Sequence, residues 1–125
     1  MNNKTDFRLQ LNNDSKTINF DTKIAEVLSI NQAIFIQKLY NFIKVNEITD
    51  RQYQDGMYWF KSTLDEWKER DFPFWCKKTI SNIIDRLEKQ GILITANHNK
   101  IRFDRTKWYS LDLDKLQAVI DNKLQ

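Results

Sequence analysis

The side chains with the clearest chemical potential lie between residues 77 and 86, in a segment that reads KKTISNIIDR. Ile80, Ile83 and Ile84 recur at helical spacing, so they are expected to face a core. Cations and short hydrogen-bonding groups share the opposite face of this predicted helix, and such groups suit phosphates and base edges. The candidate contacts on it are Lys77, Lys78, Ser81, Asn82 and Arg86.

Lys77 and Lys78 fall in the first turn of the predicted helix. Cations are unfavourable there, because a helix N-terminus carries partial positive charge. An approaching phosphate backbone would explain that cost, since the free backbone N–H groups of the first turn bind anions. A polar helix face that is simply hydrated is the alternative interpretation.

A second basic cluster follows in a predicted hairpin, where four cations fall within eight residues. Alternate side chains of a flat strand share one face, so Lys100 and Arg102 are expected on the same side. Such a strip suits a DNA backbone or the minor groove. His98, near the tip, is expected to be an exposed loop residue. The candidate contacts of the hairpin are Asn99, Lys100, Arg102, Arg105 and Lys107.

Other kinds of chemistry lack the residues they need. His98 is the single histidine, which excludes a metal site with two histidines. Gly56 and Gly91 are too few for a phosphate-binding loop or a dinucleotide fingerprint. Cys76 has no histidine or asparagine partner at a recognisable spacing, and we expect a buried or semi-buried thiol. We therefore expect a protein that is not an enzyme and needs no cofactor or metal.

The first half of the chain supplies the elements that precede this helix. Alternation in DFRLQL predicts a strand, and TINF predicts a short extended piece, so residues 1–20 are expected to form a strand arm. Asp21 or Thr22 caps a first helix. Residues 30–48 form a long second helix, whose inward-facing apolar stripe begins with Ile30. The Asp55–Gly56 pair predicts a tight turn before an aromatic strand.

STLDEW, residues 62–67, has the capping-box pattern that begins a third helix, with Leu64 and Trp67 facing inward. Pro73 ends that helix, and the fourth runs roughly from Lys77 to Gln90 before Gly91. ILITA is a predicted strand, NHNK a turn, and IRF and TKWYSLDL a returning strand. DKLQAVIDNKL completes the chain as an amphipathic helix.

This order of elements is that of a winged helix-turn-helix, with the fourth helix in the position of the recognition helix. We predict an α+β, mainly α fold in three parts. Residues 1–20 form the strand arm, residues 21–113 the winged-helix domain, and residues 114–125 the C-terminal amphipathic helix.

Composition agrees with a single nucleic-acid-binding domain. The chain has 125 residues and a net charge of +3, with 41% hydrophobic residues. Residues 61–110 hold eleven Lys and Arg against seven Asp and Glu, whereas residues 1–60 hold seven of each. No apolar run approaches the ~20 residues of a membrane span. With one cysteine and no signal peptide, we expect a cytoplasmic protein with no membrane partner.

Between about residues 20 and 116, the chain resembles the amino-terminal winged-helix domain of phage replisome organisers. These are DnaD-like replication initiation proteins of phages from low-GC Gram-positive bacteria. AIFIQKLYNFI and STLDEW match upstream. The other matching residues are Phe72-Pro73-Phe74-Trp75, Thr79-Ile80, Leu87-Glu88-Lys89, Gly91, Ala96-Asn97, Asn99-Lys100, Asp104 and Thr106-Lys107-Trp108-Tyr109.

The resemblance implies origin binding in a bacterial host cell, often by an oligomer, followed by recruitment of the host helicase. Cys76 departs from the pattern, because the family usually has serine there, a better helix cap. Family members generally continue into a helicase-loading domain beyond the matched segment. The matched segment fits either the DNA-binding half of a longer protein or a stand-alone relative. The resemblance therefore does not imply that this chain loads a helicase.

The prediction is sequence-specific binding of double-stranded DNA in phage or mobile-element replication initiation. Two alternatives stay open. One is a transcriptional regulator on the same fold. The other is a protein-interaction module that grips a host replication or regulatory protein. The N-terminal strand or the C-terminal helix is also a candidate surface for a homo-oligomer, although packing on the protein's own core fits equally well.

Overall fold

The computed structural model describes residues 17–124. Most of the predicted strand arm, residues 1–16, lies outside the described residues. Residues 17–20, predicted to be extended, form neither a helix nor a strand.

Two helices open the described chain. Helix α1, Thr22–Val27, is capped by Asp21, whose carboxylate accepts hydrogen bonds from the backbone N–H groups of Lys23 and Ile24. Helix α2, Ile30–Thr49, is capped by the hydroxyl of Ser29. Both predicted helices are confirmed. The predicted inward position of Ile30 is wrong, because its side chain is 57% exposed.

A small hairpin follows α2. Strands β1, Tyr53–Gln54, and β2, Met57–Tyr58, pair around Asp55 and Gly56. Both turn residues have positive φ, 54° and 78°, the conformation that a two-residue hairpin turn requires. The tight turn predicted from the Asp–Gly pair is therefore confirmed.

The next segment builds a helical pair. Helix α3, Leu64–Glu66, begins with a capping box between Thr63 and Glu66 and continues into one π-helical turn, Trp67–Asp71. Helix α4, Lys77–Lys89, ends before Gly91, whose φ is +77°. Trp67 is fully buried as predicted, but Leu64 is 37% exposed, so its predicted inward position is wrong.

Three strands form the second sheet, in the order β3-β5-β4, with both pairings antiparallel. Strand β3 is Phe60–Ser62, β4 is Leu93–Ala96 and β5 is Lys107–Leu111. The prediction that IRF forms strand is wrong, because residues 101–103 lie in a turn. The alternation expected to place Lys100 and Arg102 on one strand face is therefore absent. Helix α5, Leu113–Leu124, closes the described chain.

One aromatic residue lies at the centre of the core. The Trp67 ring centroid is 5.0 Å from that of Phe35 in α2, 5.6 Å from Phe72 and 5.5 Å from Tyr109 in β5. Buried side chains from α4 and α5 join the same core; they are Ile80, Ile83, Ile84, Leu87, Leu116 and Ile120. These contacts fix α4 against the sheet and direct its polar face outward.

Residues 17–124 thus form a small α+β protein, mostly helical, with five helices and two small antiparallel sheets. The mainly α class of the prediction is confirmed. In the described part of the chain, no helix has the length and apolar character needed to cross a membrane.

Candidate nucleic-acid interface

The outward face of α4 carries the residues predicted for it. Ile80 and Leu87 are completely buried, and the two other apolar positions of the helix are 5% exposed. The exposed positions of the helix include Lys77, Lys78, Ser81, Asn82 and Arg86. All five candidate contacts of the helix are therefore accessible to a partner.

One cleft of about 250 Å³ is lined by Ser81 of α4, by Arg105 of the loop before β5 and by Lys107 of β5. Lys107 and Tyr109 are two residues apart on β5, so they share a face of the sheet. Since Tyr109 packs on Trp67 in the core, Lys107 extends from the same face at the edge of α4. Helix α4 and the start of β5 thus meet at Ser81, Arg105 and Lys107.

The other flank of α4 faces the beginning of α2. Asn82 and Arg86 line a second cleft, of about 450 Å³, together with Ser29, Ile30 and Asn31. Successive residues of a helix lie about 100° apart around its axis, which is why Ser81 and Asn82 border different clefts. The polar face of α4 is therefore a broad ridge between two clefts.

Lys77 is paired within the protein. Its Nζ donates a hydrogen bond to the carboxylate of Asp65 in α3, and this bond raises the pKa of Lys77. An approaching phosphate is therefore not needed to explain Lys77, because the Asp65 carboxylate offsets the unfavourable position of this cation at the helix N-terminus. Lys78 forms no ion pair within the described residues and is the available cation of the first turn.

The loop of residues 97–106, called loop 97–106 below, is braced by Asn99. The Asn99 amide nitrogen donates to the backbone carbonyls of Asp104 and Thr106, and its oxygen accepts from Trp108 Nε1. These bonds use the polar atoms of the side chain inside the protein. We therefore revise the predicted role of Asn99 from a DNA contact to a structural one.

The remaining loop cations lie apart from the Ser81 cleft. Lys100 lines a third cleft, with Asp50 and with Tyr53 of the β1–β2 hairpin. Arg102 is exposed in the turn itself. The structure therefore assigns the four cations of the predicted hairpin to more than one surface, and of these four Arg105 and Lys107 lie beside α4.

His98 lies between two tryptophans and not in solvent. Its ring centroid is 5.0 Å from that of Trp59 and 5.2 Å from that of Trp108, and its side chain is 18% exposed. His98 Nε2 is 3.5 Å from a carboxylate oxygen of Asp55. The prediction of an exposed loop histidine is wrong, because aromatic packing from distant parts of the chain encloses the ring.

Cys76 is exposed at the N-terminus of α4, so the predicted burial of its thiol is also wrong. Hydrogen bonds from the hydroxyl and the backbone N–H of Thr79 lower the pKa of the Cys76 thiol. Within residues 17–124, no three His, Cys, Asp or Glu side chains are grouped to hold a metal ion.

Comparison of the chain with protein-family models, with curated proteins and with solved structures found no match. The similarity to phage replication initiators therefore stays a prediction from the quoted sequence motifs.

Proposed function

We propose that this chain is a winged-helix protein that binds double-stranded DNA. The order α2, β3, α3, α4, β4, β5 supports this topology, since a helical pair is followed by an antiparallel hairpin. In such a protein α4 is the recognition helix and the β4–β5 hairpin is the wing.

The observation that carries the proposal is the cleft at which Ser81 of α4 meets Arg105 and Lys107. A helix that enters the major groove places its exposed N-terminal half near base edges, while flanking cations contact phosphates. Ser81 and Asn82 would face the bases. Lys78 and Arg86 would contact the phosphates beside α4, and Arg105 and Lys107 would hold the adjacent backbone.

The biological role in this proposal is initiation of replication of a phage or mobile element. That part rests on the sequence resemblance, since a winged helix with the same charges serves equally well in a transcriptional regulator. Selection of bound fragments from the parent genome separates the two, because an initiator should recover origin repeats and a regulator should recover a promoter.

A protein-interaction module is the second candidate function. Two observations favour it. Lys77 and Lys89 are paired with Asp65 and Asp85, which reduces the positive field of α4. The end of α2 also exposes apolar surface, with Ile48 82% exposed. Capture of a host protein from nuclease-treated lysate, together with no measurable DNA binding, would favour this candidate over the first.

The salt dependence of DNA binding tests the first proposal. The logarithm of the binding constant falls with the logarithm of salt concentration by ~0.9 per phosphate contact on B-DNA. For the Arg105→Ala/Lys107→Ala variant, we expect weaker binding across duplex sequences and a slope reduced by ~1.8, which is ~0.9 for each of the two lost phosphate contacts. Lys23→Ala removes one exposed cation from α1, away from the proposed interface, and is the control. Equal slopes for the double variant and the wild type would contradict the proposal.

A further inference from the structure

Loop 97–106 presents two apolar side chains to solvent. Phe103 is 87% exposed, the largest value among the large hydrophobic residues of the described chain, and Ile101 is 67% exposed. The backbone N–H of Asp104 donates to the carbonyl of Ile101 at 3.1 Å, so residues 101–104 form a tight turn. Phe103 therefore occupies a central position of a turn and makes little contact with the protein.

The turn is held in place from both sides. Asn99 Nδ2 lies 2.9 Å from the carbonyl oxygen of Asp104 and 2.8 Å from that of Thr106. The carboxylate of Asp104 accepts hydrogen bonds from the backbone N–H and the hydroxyl of Thr106, which lower its pKa. Because these bonds fix the loop on the sheet, Phe103 is presented by a braced support.

The charges around Phe103 indicate the kind of partner. Lys100, Arg102 and Arg105 lie within three residues of it in sequence, and all three are exposed. The one acidic residue of the loop, Asp104, stays negatively charged while it accepts its bonds from Thr106, so the three cations leave loop 97–106 with a net charge of +2. An aromatic ring among free cations complements a nucleic acid, in which phosphates meet the cations and a base offers its face to the ring.

From this arrangement we infer that Phe103 is a wedge that inserts between adjacent base pairs of duplex DNA from the minor groove. This inference rests on the proposed DNA binding by α4. The minor groove of B-DNA is ~6 Å wide and admits a narrow turn more readily than a helix. Apolar side chains inserted there partly unstack the base step and kink the duplex. The cations of the loop supply attraction, and the phenyl ring deforms the DNA.

The insertion of Phe103 can be tested without knowledge of the binding site. A closed circular plasmid is relaxed by topoisomerase in the presence of the full chain, and its linking number is measured. Insertion unwinds DNA, so plasmid relaxed with the wild-type protein should be negatively supercoiled after the protein is removed. Phe103→Ala should retain DNA binding by fluorescence anisotropy, because the cations remain, and should lose the change in linking number. Phe103→Trp should restore it. Ile48→Ala, which removes a similarly exposed apolar side chain from α2, should behave as the wild type.

The outcomes separate this inference from the proposed function. If the wild-type chain binds no duplex, both fail. If the wild type binds but leaves the linking number unchanged, or if Phe103→Ala changes it as much as the wild type does, the wedge is wrong and DNA binding stands. A smaller sedimenting species for Phe103→Ala than for the wild type would instead assign Phe103 to a contact between copies of the chain.

Discussion

Lys77 of α4 donates a hydrogen bond from its Nζ to the carboxylate of Asp65 in α3, so one of the two cations in the first turn of α4 is paired with a carboxylate of the same chain. The pair joins the two helices of the proposed helix-turn-helix at their surface. It also places a negative charge next to the groups assigned to phosphate contact. Asp65 is therefore expected to weaken DNA binding.

Replacing Asp65 by asparagine tests this expectation. Asp65→Asn frees the charge of Lys77 and removes the repulsion between the Asp65 carboxylate and the DNA phosphates. DNA binding should therefore tighten. The salt slope should steepen by ~0.9, the value for one added phosphate contact. The matched control is Glu47→Gln, which breaks the exposed Lys44–Glu47 pair of α2 and should change neither quantity. Weaker binding by Asp65→Asn would show that the carboxylate positions Lys77 for its role.

Asn99→Ala should destabilise the protein. The substitution removes the acceptor of Trp108 Nε1 and the donor to two carbonyls, and Trp108 is only 6% exposed. A buried polar group left without a partner costs ~1–3 kcal/mol, so the free energy of unfolding in urea should fall by about that amount. Asn122→Ala changes an exposed asparagine of α5 and is the control. Equal stability of Asn99→Ala and the wild type would return Asn99 to the set of candidate DNA contacts.

The Cys76 thiol should react rapidly with iodoacetamide. Its pKa is lowered, chiefly by the hydrogen bond from the Thr79 hydroxyl, so the thiolate fraction at neutral pH is raised. Thr79→Val removes that hydroxyl and should shift the midpoint of the pH–rate profile upward and slow alkylation at neutral pH. Thr49→Val, a change of the same kind on α2, is the control. Overlapping pH–rate profiles for Thr79→Val and the wild type would show that the Thr79 hydroxyl does not lower the pKa of Cys76.

Ile120→Ala should destabilise the chain by ~2–5 kcal/mol, the usual cost of truncating a buried aliphatic side chain. Ile120 and Leu116 of α5 are each 6% exposed and belong to the core that contains Trp67. If α5 packs on its own chain, the decrease in the free energy of unfolding measured in urea should not depend on protein concentration. Lys123→Ala on the exposed face of α5 is the control. A concentration-dependent midpoint would instead assign the apolar face of α5 to an oligomer.

The elements predicted correctly from the sequence are those specified by nearby residues. The capping box of Thr63 and Glu66 spans four residues, and Gly91 ends α4 directly after its last turn. The apolar spacing of α4 predicted its buried face. In each case the determining contacts lie within one or two helical turns, so the pattern is visible in the sequence.

The turn at residues 101–104 could not be predicted from alternation. Ile101 and Phe103 flank Arg102 in the pattern of a strand. The Asn99 side chain instead bonds to the carbonyls of Asp104 and Thr106, which a partner strand would otherwise engage. The Asn99 amide thus takes the place of a partner strand at these carbonyls. Neither hydrophobic periodicity nor β-propensity can predict such a side-chain hydrogen bond.

The composition of the candidate site was predicted better than its arrangement. The exposed face of α4 follows from periodicity, but the partner of Lys77 is twelve residues away, and Trp59 lies far in sequence from the His98 ring that it contacts. The division of the basic residues among several surfaces likewise depends on tertiary packing. Only the assembled sheet brings Arg105 and Lys107 beside Ser81.

Residue-level mapping of DNA binding tests the central claim most directly. In a titration of the ¹⁵N-labelled chain with a duplex bound by it, backbone amide signals should shift at residues 78–82 of α4 and at residues 105–107. The inferred wedge adds shifts at residues 101–104. Signals from the end of α2 around Ile48 should stay in place. Shifts concentrated at the end of α2, with α4 and residues 105–107 unchanged, would contradict the assignment of the DNA-binding surface.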